Sequence, residues 1–214
     1  VGGGWNSNQI WNDFWEYDPG TNSWTQKGTL PGGAALASVG FSIGNKGYFT
    51  LGLNASFADI YTLFEYNPVT NSWQGVSIFP GFAGWGFEGF VIGTKVYIGE
   101  EWSSDLYVWD QTTNSWTSFL APFTFDRDEV GLSLNGFGYW ASAMPSGSGL
   151  WKYNPTGNIW TQLPSMPTPG ITEGSGFAVS GKLYVGSGQY LSTGDRLNKF
   201  WEYNYSLFEH QQNI

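Results

Sequence analysis

An all-β fold of the β-propeller class is predicted by three observations. An eight-residue segment recurs four times, ending at Trp24, Trp73, Trp116 and Trp160, so that the tryptophans fall 49, 43 and 44 residues apart. Between these segments lie pairs of short β-rich runs joined by Gly- or Asn-containing turns, a strong hairpin pattern. No segment carries the apolar period of a helix. Two hairpins per unit make four short strands. Four-stranded units repeated at this length imply blades set radially, an arrangement that protects sheet edges.

Each element has a local reason. The four segments are Tyr17-Asp18-Pro19-Gly20-Thr21-Asn22-Ser23-Trp24, Tyr66-Asn67-Pro68-Val69-Thr70-Asn71-Ser72-Trp73, Trp109-Asp110-Gln111-Thr112-Thr113-Asn114-Ser115-Trp116 and Tyr153-Asn154-Pro155-Thr156-Gly157-Asn158-Ile159-Trp160. An aromatic ends one strand. Asp or Asn offers a side-chain acceptor to the turn, and Pro, where present, fixes φ. The Asn two residues before Trp can take the left-handed conformation that closes the turn. The Trp opens the return strand, and Trp24, Trp73, Trp116 and Trp160 are expected to be largely buried between neighbouring blades.

The second hairpins follow the same logic. Val39-Gly40-Phe41-Ser42-Ile43 turns through Gly44-Asn45-Lys46-Gly47 into Tyr48-Phe49-Thr50-Leu51. Its counterparts turn at Gly93-Thr94-Lys95, Asn135-Gly136 and Ser180-Gly181-Lys182. The small residues of each first strand, Gly40, Gly89, Gly131 and Gly176, suit crowding near a central channel.

These features together resemble the kelch-repeat family, over essentially the whole chain. The carriers are the Gly-rich end of strand two (Gly2-Gly3-Gly4, Gly186-Ser187-Gly188), the run Phe14-Trp15-Glu16-Tyr17-Asp18 and the recurring Trp. The wording of Phe41-Ser42-Ile43-Gly44-Asn45-Lys46-Gly47-Tyr48 and of Ser23-Trp24-Thr25-Gln26-Lys27 is similar to kelch proteins of Bacteroidetes-type bacteria, which are generally exported. The resemblance therefore implies an extracellular or cell-surface protein. The double glycine gives way to Leu51-Gly52-Leu53, Ile98-Gly99-Glu100 and Trp140-Ala141-Ser142, where strand twist is expected to differ. In the last unit His210 stands where the Trp belongs, which puts that unit's fourth strand in doubt.

The chain reads as one propeller domain of about five units: 1–33, 34–80, 81–122, 123–167 and 168–214, the first and last incomplete. The opening Val1-Gly2-Gly3-Gly4 reads as the end of a strand, as in a processed or incomplete chain. The count fits either part of a larger propeller or five blades with an irregular closing blade.

Composition narrows function. Eight Lys+Arg stand against 17 Asp+Glu, a formal charge of −9, so the chain is ill suited to nucleic acid or anionic membranes. No apolar run reaches the ~18–20 residues of a membrane helix, so direct membrane insertion is not expected. With no Cys and one His, cysteine-ligated metals, thiol catalysis, a two-histidine metal site and a Ser-His-Asp triad are set aside. Within the kelch resemblance, the copper radical oxidases need a Tyr–Cys crosslink and histidine ligands, which are absent. Sialidase-type propellers need an arginine triad, and the chain has only Arg127 and Arg196.

Strand alternation places the entries to each first strand and the loops after each second strand at one end. There the sequence gathers Trp85, Phe87 and Glu88; Glu100, Glu101 and Trp102; Phe125, Asp126, Arg127, Asp128 and Glu129; Thr172 and Glu173; and, from further loops, Trp5, Asn6, Asn8, Asn54, Phe57, Met144, Tyr190, Asp195 and Arg196. Trp85, Glu88, Glu100, Glu101, Trp102, Arg127, Asp128, Glu129 and Glu173 are the candidate ligand- or partner-binding residues. Like carboxylates brought together raise one another's pKa or attract a cation. Calcium is the one metal considered, on a weak basis, since no D-x-D-x-D loop exists. Arg127, between two aspartates, reads as a local ion pair. Asn54-Ala55-Ser56 and Asn204-Tyr205-Ser206 match a glycosylation sequon, read here as coincidental.

The expected function is a noncatalytic binding module for a protein partner or a glycan, or a subunit of a surface assembly. The alternative is a carbohydrate-active enzyme of epimerase, lyase or hydrolase type that uses the mouth carboxylates.

Overall fold

The computed structural model describes residues 1–214 except 7, 34, 143–148, 166–170, 191–192 and 205–214; the side chains of residues 142, 171 and 190 also lie outside the description. No helix occurs among the described residues, and none is therefore long and apolar enough to cross a membrane. The chain divides into two compact units, residues 1–87 with 110–116 and residues 88–109 with 117–214. Met144 and His210 lie outside the described residues, as does the side chain of Tyr190.

In the first unit, β1 (Trp5–Asn6) pairs with β2 (Gln9–Ile10), and β3 (Trp15–Asp18) forms a hairpin with β4 (Ser23–Gln26). Gly2 bridges Phe14 beside β3. The strands β5 (Val39–Ile43), β6 (Lys46–Thr50), β7 (Thr62–Asn67) and β8 (Ser72–Ile78) form one antiparallel sheet in chain order. Leu30, Ala35, Phe49 and Ile60 are its buried core, with Phe14, Phe64 and Trp73 packed against them.

Two further four-stranded sheets follow in chain order. The first is β9 (Glu88–Ile92), β10 (Lys95–Gly99), β11 (Asp105–Asp110) and β12 (Ser115–Leu120). The second is β13 (Val130–Leu134), β14 (Phe137–Ser142), β15 (Gly149–Asn154) and β16 (Ile159–Leu163). Near the end β17 (Ile171–Thr172) pairs with β20 (Gln189–Tyr190), while β18 (Ser175–Val179), β19 (Lys182–Gly186) and β21 (Phe200–Asn204) make a three-stranded sheet. The second unit's core is aromatic, with Phe90, Tyr97, Phe125, Trp140 and Tyr153 all buried.

The recurring turn forms as its chemistry requires. Asp18, Asn67, Asp110 and Asn154 each accept a hydrogen bond from the backbone N–H two residues on, at 2.8–3.0 Å. Asn22, Asn71, Asn114 and Asn158 all adopt positive φ, between 49° and 54°. The Tyr17 and Tyr66 hydroxyls donate to the amide oxygens of Asn22 and Asn71 at 2.8 Å, tying the strand-ending aromatic to the turn it precedes.

The second hairpins are tighter than the sequence suggests. Ile43 pairs with Lys46, Ile92 with Lys95 and Val179 with Lys182, so the loops are the two-residue Gly44-Asn45, Gly93-Thr94 and Ser180-Gly181. Each Lys already belongs to the strand. At the far end of strand two, Gly3-Gly4, Leu51-Gly52 and Ser187-Gly188 all place two consecutive residues at positive φ. Gly99-Glu100 and Ala141-Ser142 do not, and the backbone there follows a different path.

The burial expected of the four tryptophans is corrected. Trp24 is 55 % exposed and has Tyr17 beside it at 5.0 Å. Trp73, Trp116 and Trp160 are half-buried. The indole N–H of Trp73 donates to the Gly28 carbonyl at 3.1 Å, and that of Trp116 to Ser77 Oγ at 3.0 Å, partners 45 and 39 residues earlier in the chain. Trp160 is packed by Phe123 and Tyr153, with ring centroids at 5.1 and 4.8 Å, but its buried N–H has no partner among the described residues.

This difference has a measurable consequence. Trp116→Phe loses a hydrogen bond and strands Ser77, whereas Trp160→Phe removes a buried donor that has no acceptor among the described residues. Trp160→Phe is expected to cost about 1–2 kcal/mol less than Trp116→Phe in urea unfolding.

Candidate functional site

The innermost strands of the second unit set the site. β13 packs beside both β9 and β18. At Gly131 the approach is backbone to backbone, since an added Cβ would lie 2.7 Å from the Gly89 carbonyl oxygen. At Gly176 a Cβ would lie 2.5 Å from the Val130 side chain. The small first-strand residues are therefore needed here for close approach. The starts of β9 and β13, and the residues that precede them, are consequently held near one another.

Those starts are acidic. Glu88 opens β9 and pairs in register with Gly99. Burial, then Asp128 and Glu129, push its carboxyl up to about 7. Asp128 is raised by burial and by Glu173, with Arg127 opposing the shift. Glu101, in the β10–β11 loop, is raised by burial and by Asp126 and Asp128, again against Arg127. Six carboxylates (Glu88, Glu101, Asp126, Asp128, Glu129 and Glu173) thus act on one another from four segments of the second unit.

Arg127 is the cation at this centre. Its Nε lies 3.2 Å from Glu101 Oε1, and its guanidinium stands over the Trp102 ring at 5.4 Å. An ion pair was expected at this residue; one is made with Glu101 of the neighbouring loop, and the charge also acts on the flanking Asp128. Trp102 is 59 % exposed and at positive φ, its N–H held by the Phe125 carbonyl at 3.0 Å. The indole is therefore presented at the loop tip by backbone bonds.

Asp128 and Glu173 each sit two residues before an inner strand, at φ 57° and 54°. Ala37 and Gly86 occupy the same position before β5 and β9, at φ 52° and 89°. The left-handed backbone thus belongs to the entry itself. For a non-glycine residue it costs roughly 1–2 kcal/mol. Two carboxylates carry that cost beside each other.

The nine candidates do not all share one open mouth. Glu88, Glu101, Trp102, Arg127, Asp128, Glu129 and Glu173 are brought together in the second unit. Glu129 is 1 % exposed, and its carboxylate accepts the indole N–H of Trp140. It lies beneath the surface, a correction to its expected place among residues that contact a ligand or partner directly. Glu100 is buried as well; its backbone closes the turn with Ser103 and Asp105, and its charge helps raise the Tyr107 hydroxyl. Trp85 belongs to the first unit, where it is 50 % exposed.

Sequence reasoning missed Trp140 and Tyr107. The two-residue turn Asn135-Gly136 puts Trp140 opposite Gly131, two positions from Glu129, so strand register could have found the pairing. The charge environment of Tyr107 depends on how the β10–β11 turn folds. No group of three or more His, Cys, Asp or Glu among the described residues is disposed to hold a metal ion.

Comparison with known proteins adds the fold. No family model and no curated protein matches the chain. Among solved structures, one titled "Structure of YjhT" matches with a TM-score of 0.76 at 16 % identity, covering 94 % of this chain and 79 % of that chain. At that identity the likeness is one of fold alone, and the fold is a β-propeller.

The electrostatics predict a pH dependence. A carboxyl raised from 4.5 to about 7 on folding binds its proton more tightly in the native state. Stability therefore falls as pH rises between those values and levels off above them. Glu88→Gln is expected to flatten that slope, as measured by the thermal midpoint from pH 4 to pH 8.

Proposed function

We propose that the chain is a kelch-type propeller acting as a noncatalytic binding module, exported or at the cell surface, and that its acidic cluster receives cationic side chains of a protein partner. The observation that carries this reading is the gathering of six carboxylates around a single arginine, which acts on Glu101 and Asp128. Such a centre keeps a strong negative potential, which speeds and orients the approach of a basic surface. Trp102 adds an exposed indole face beside it, on which a Lys or Arg contact is worth about 0.5–2 kcal/mol. The chain's overall excess of acid works in the same direction.

A second reading has its own observation. Glu88, with its carboxyl at about 7, is poised to give or take a proton near neutral pH. That suits a carbohydrate-active enzyme of the epimerase, lyase or hydrolase type.

The test uses an arginine-rich peptide as probe. Binding is expected to weaken steeply with added salt, and Asp128→Asn with Glu173→Gln is expected to reduce affinity at least about tenfold. Salt-insensitive retention on a glycan array would overturn the cationic-partner reading. Sugar turnover lost in Glu88→Gln would establish the enzyme. Displacement of the peptide by millimolar calcium alone would assign the cluster to a metal.

A further inference from the structure

Arg127 and Arg196 are the only guanidinium groups of the chain. Arg127 stands between Asp126 and Asp128, yet its Nε reaches across to Glu101 of the β10–β11 loop, at 3.2 Å, and its guanidinium covers the Trp102 ring at 5.4 Å. A carboxylate at the edge of a planar cation and an indole against its face are the two contacts by which a guanidinium is recognised. A lysine ammonium has no flat face to lay on the ring, so the arrangement suits Arg over Lys.

Seat and occupant are held with unequal firmness. The seat is fixed by backbone. The Glu100 N–H bonds to the Asp105 carbonyl at 2.9 Å and the Ser103 N–H to the Glu100 carbonyl at 3.1 Å, which closes the loop on itself. The Trp102 N–H bonds to the Phe125 carbonyl at 3.0 Å and the Phe125 N–H to the Ser103 carbonyl at 2.8 Å, which ties the loop to the segment leading into β13. The Glu101 side chain is only 9 % exposed.

The occupant is a long side chain, 40 % exposed, on the solvent side of that pair. Ion pairs of such exposure are weak, because water screens them and both side chains lose rotamer freedom. A guanidinium leaving Glu101 also has somewhere to go. Asp126 and Asp128 flank it in the chain, and its charge already acts on Asp128. Exchange of Glu101 for Asp128 keeps the cation beside a carboxylate and clears the Trp102 face. A ligand shifts such an equilibrium by its preference for one of the two states.

We propose, resting on the cationic-partner reading above, that Arg127 is the resident occupant of a guanidinium seat formed by Glu101 and Trp102, and that an arginine of the partner takes the seat by displacing it. Arg127 then lowers the apparent affinity by the fraction of time it fills the seat. A surface that presents only lysines gains too little at the indole to displace it, so the resident arginine makes the site selective for arginine.

The probe is the arginine-rich peptide, with a lysine-rich peptide of equal charge beside it. Protein labelled with heavy nitrogen in arginine alone gives two Nε–H magnetic resonance signals, and Arg196→Lys identifies that of Arg127. Titration with unlabelled arginine peptide is expected to move the Arg127 signal to a saturating limit. Arg127→Gln is expected to bind the arginine peptide at least about threefold more tightly than the unaltered protein in about 0.15 M salt, and Arg196→Gln, which removes the same charge, to gain less. Trp102→Ala is expected to abolish the preference for the arginine peptide over the lysine peptide. An Arg127 signal unmoved at saturation, an Arg127→Gln affinity no higher than that of the unaltered protein, or a gain matched by Arg196→Gln would overturn the displacement and leave the cationic-partner reading standing. Failure of the arginine peptide to bind either the unaltered protein or Arg127→Gln would overturn both.

Discussion

The backbone contact between β9 and β13 at Gly89 and Gly131 is the constraint on which the second unit depends. Two inner strands approach until a single Cβ would collide with a carbonyl oxygen at 2.7 Å. That proximity carries the strand entries with it, so Glu88 meets Asp128 and Glu129 whatever the loops do. The acidic cluster is in this sense a by-product of crowding: four segments must converge, and what they bring is carboxylate.

Convergence of like charge opposes folding. Burial disfavours the ionised form of Glu88, Glu101 and Asp128, and each is raised further by its acidic neighbours. Asp128 and Glu173 add left-handed backbone to the cost. The aromatic core below supplies the compensation, with Trp140 and Phe125 fully buried and their ring centroids 4.7 Å apart. The same Trp140 holds Glu129 in place. Stability and negative potential are thus coupled through one indole, and relief of the charge strengthens the fold at the site's expense.

The first unit solves its packing differently. Its tryptophans reach back along the chain, Trp73 to Gly28 and Trp116 to Ser77, and these bonds tie successive turns of the repeat together. Its inner glycines Gly40 and Gly47 line an apolar groove.

Most of the local architecture was legible in the sequence, because it is written in short-range chemistry. Asp or Asn followed four residues later by Asn determines the turn, and the observed bonds to Asp18, Asn67, Asp110 and Asn154 follow from that spacing. Strand alternation was enough to gather Glu88, Asp128, Glu129 and Glu173 at one end. Tertiary structure alone decided which of them face water. Glu129 and Glu100 are buried while Trp24 is exposed, because burial depends on what other segments lay over a side chain. A repeat specifies each unit's own turns and strands. It does not specify the neighbour that covers them, and that neighbour sets the dielectric in which each carboxylate and each indole must work.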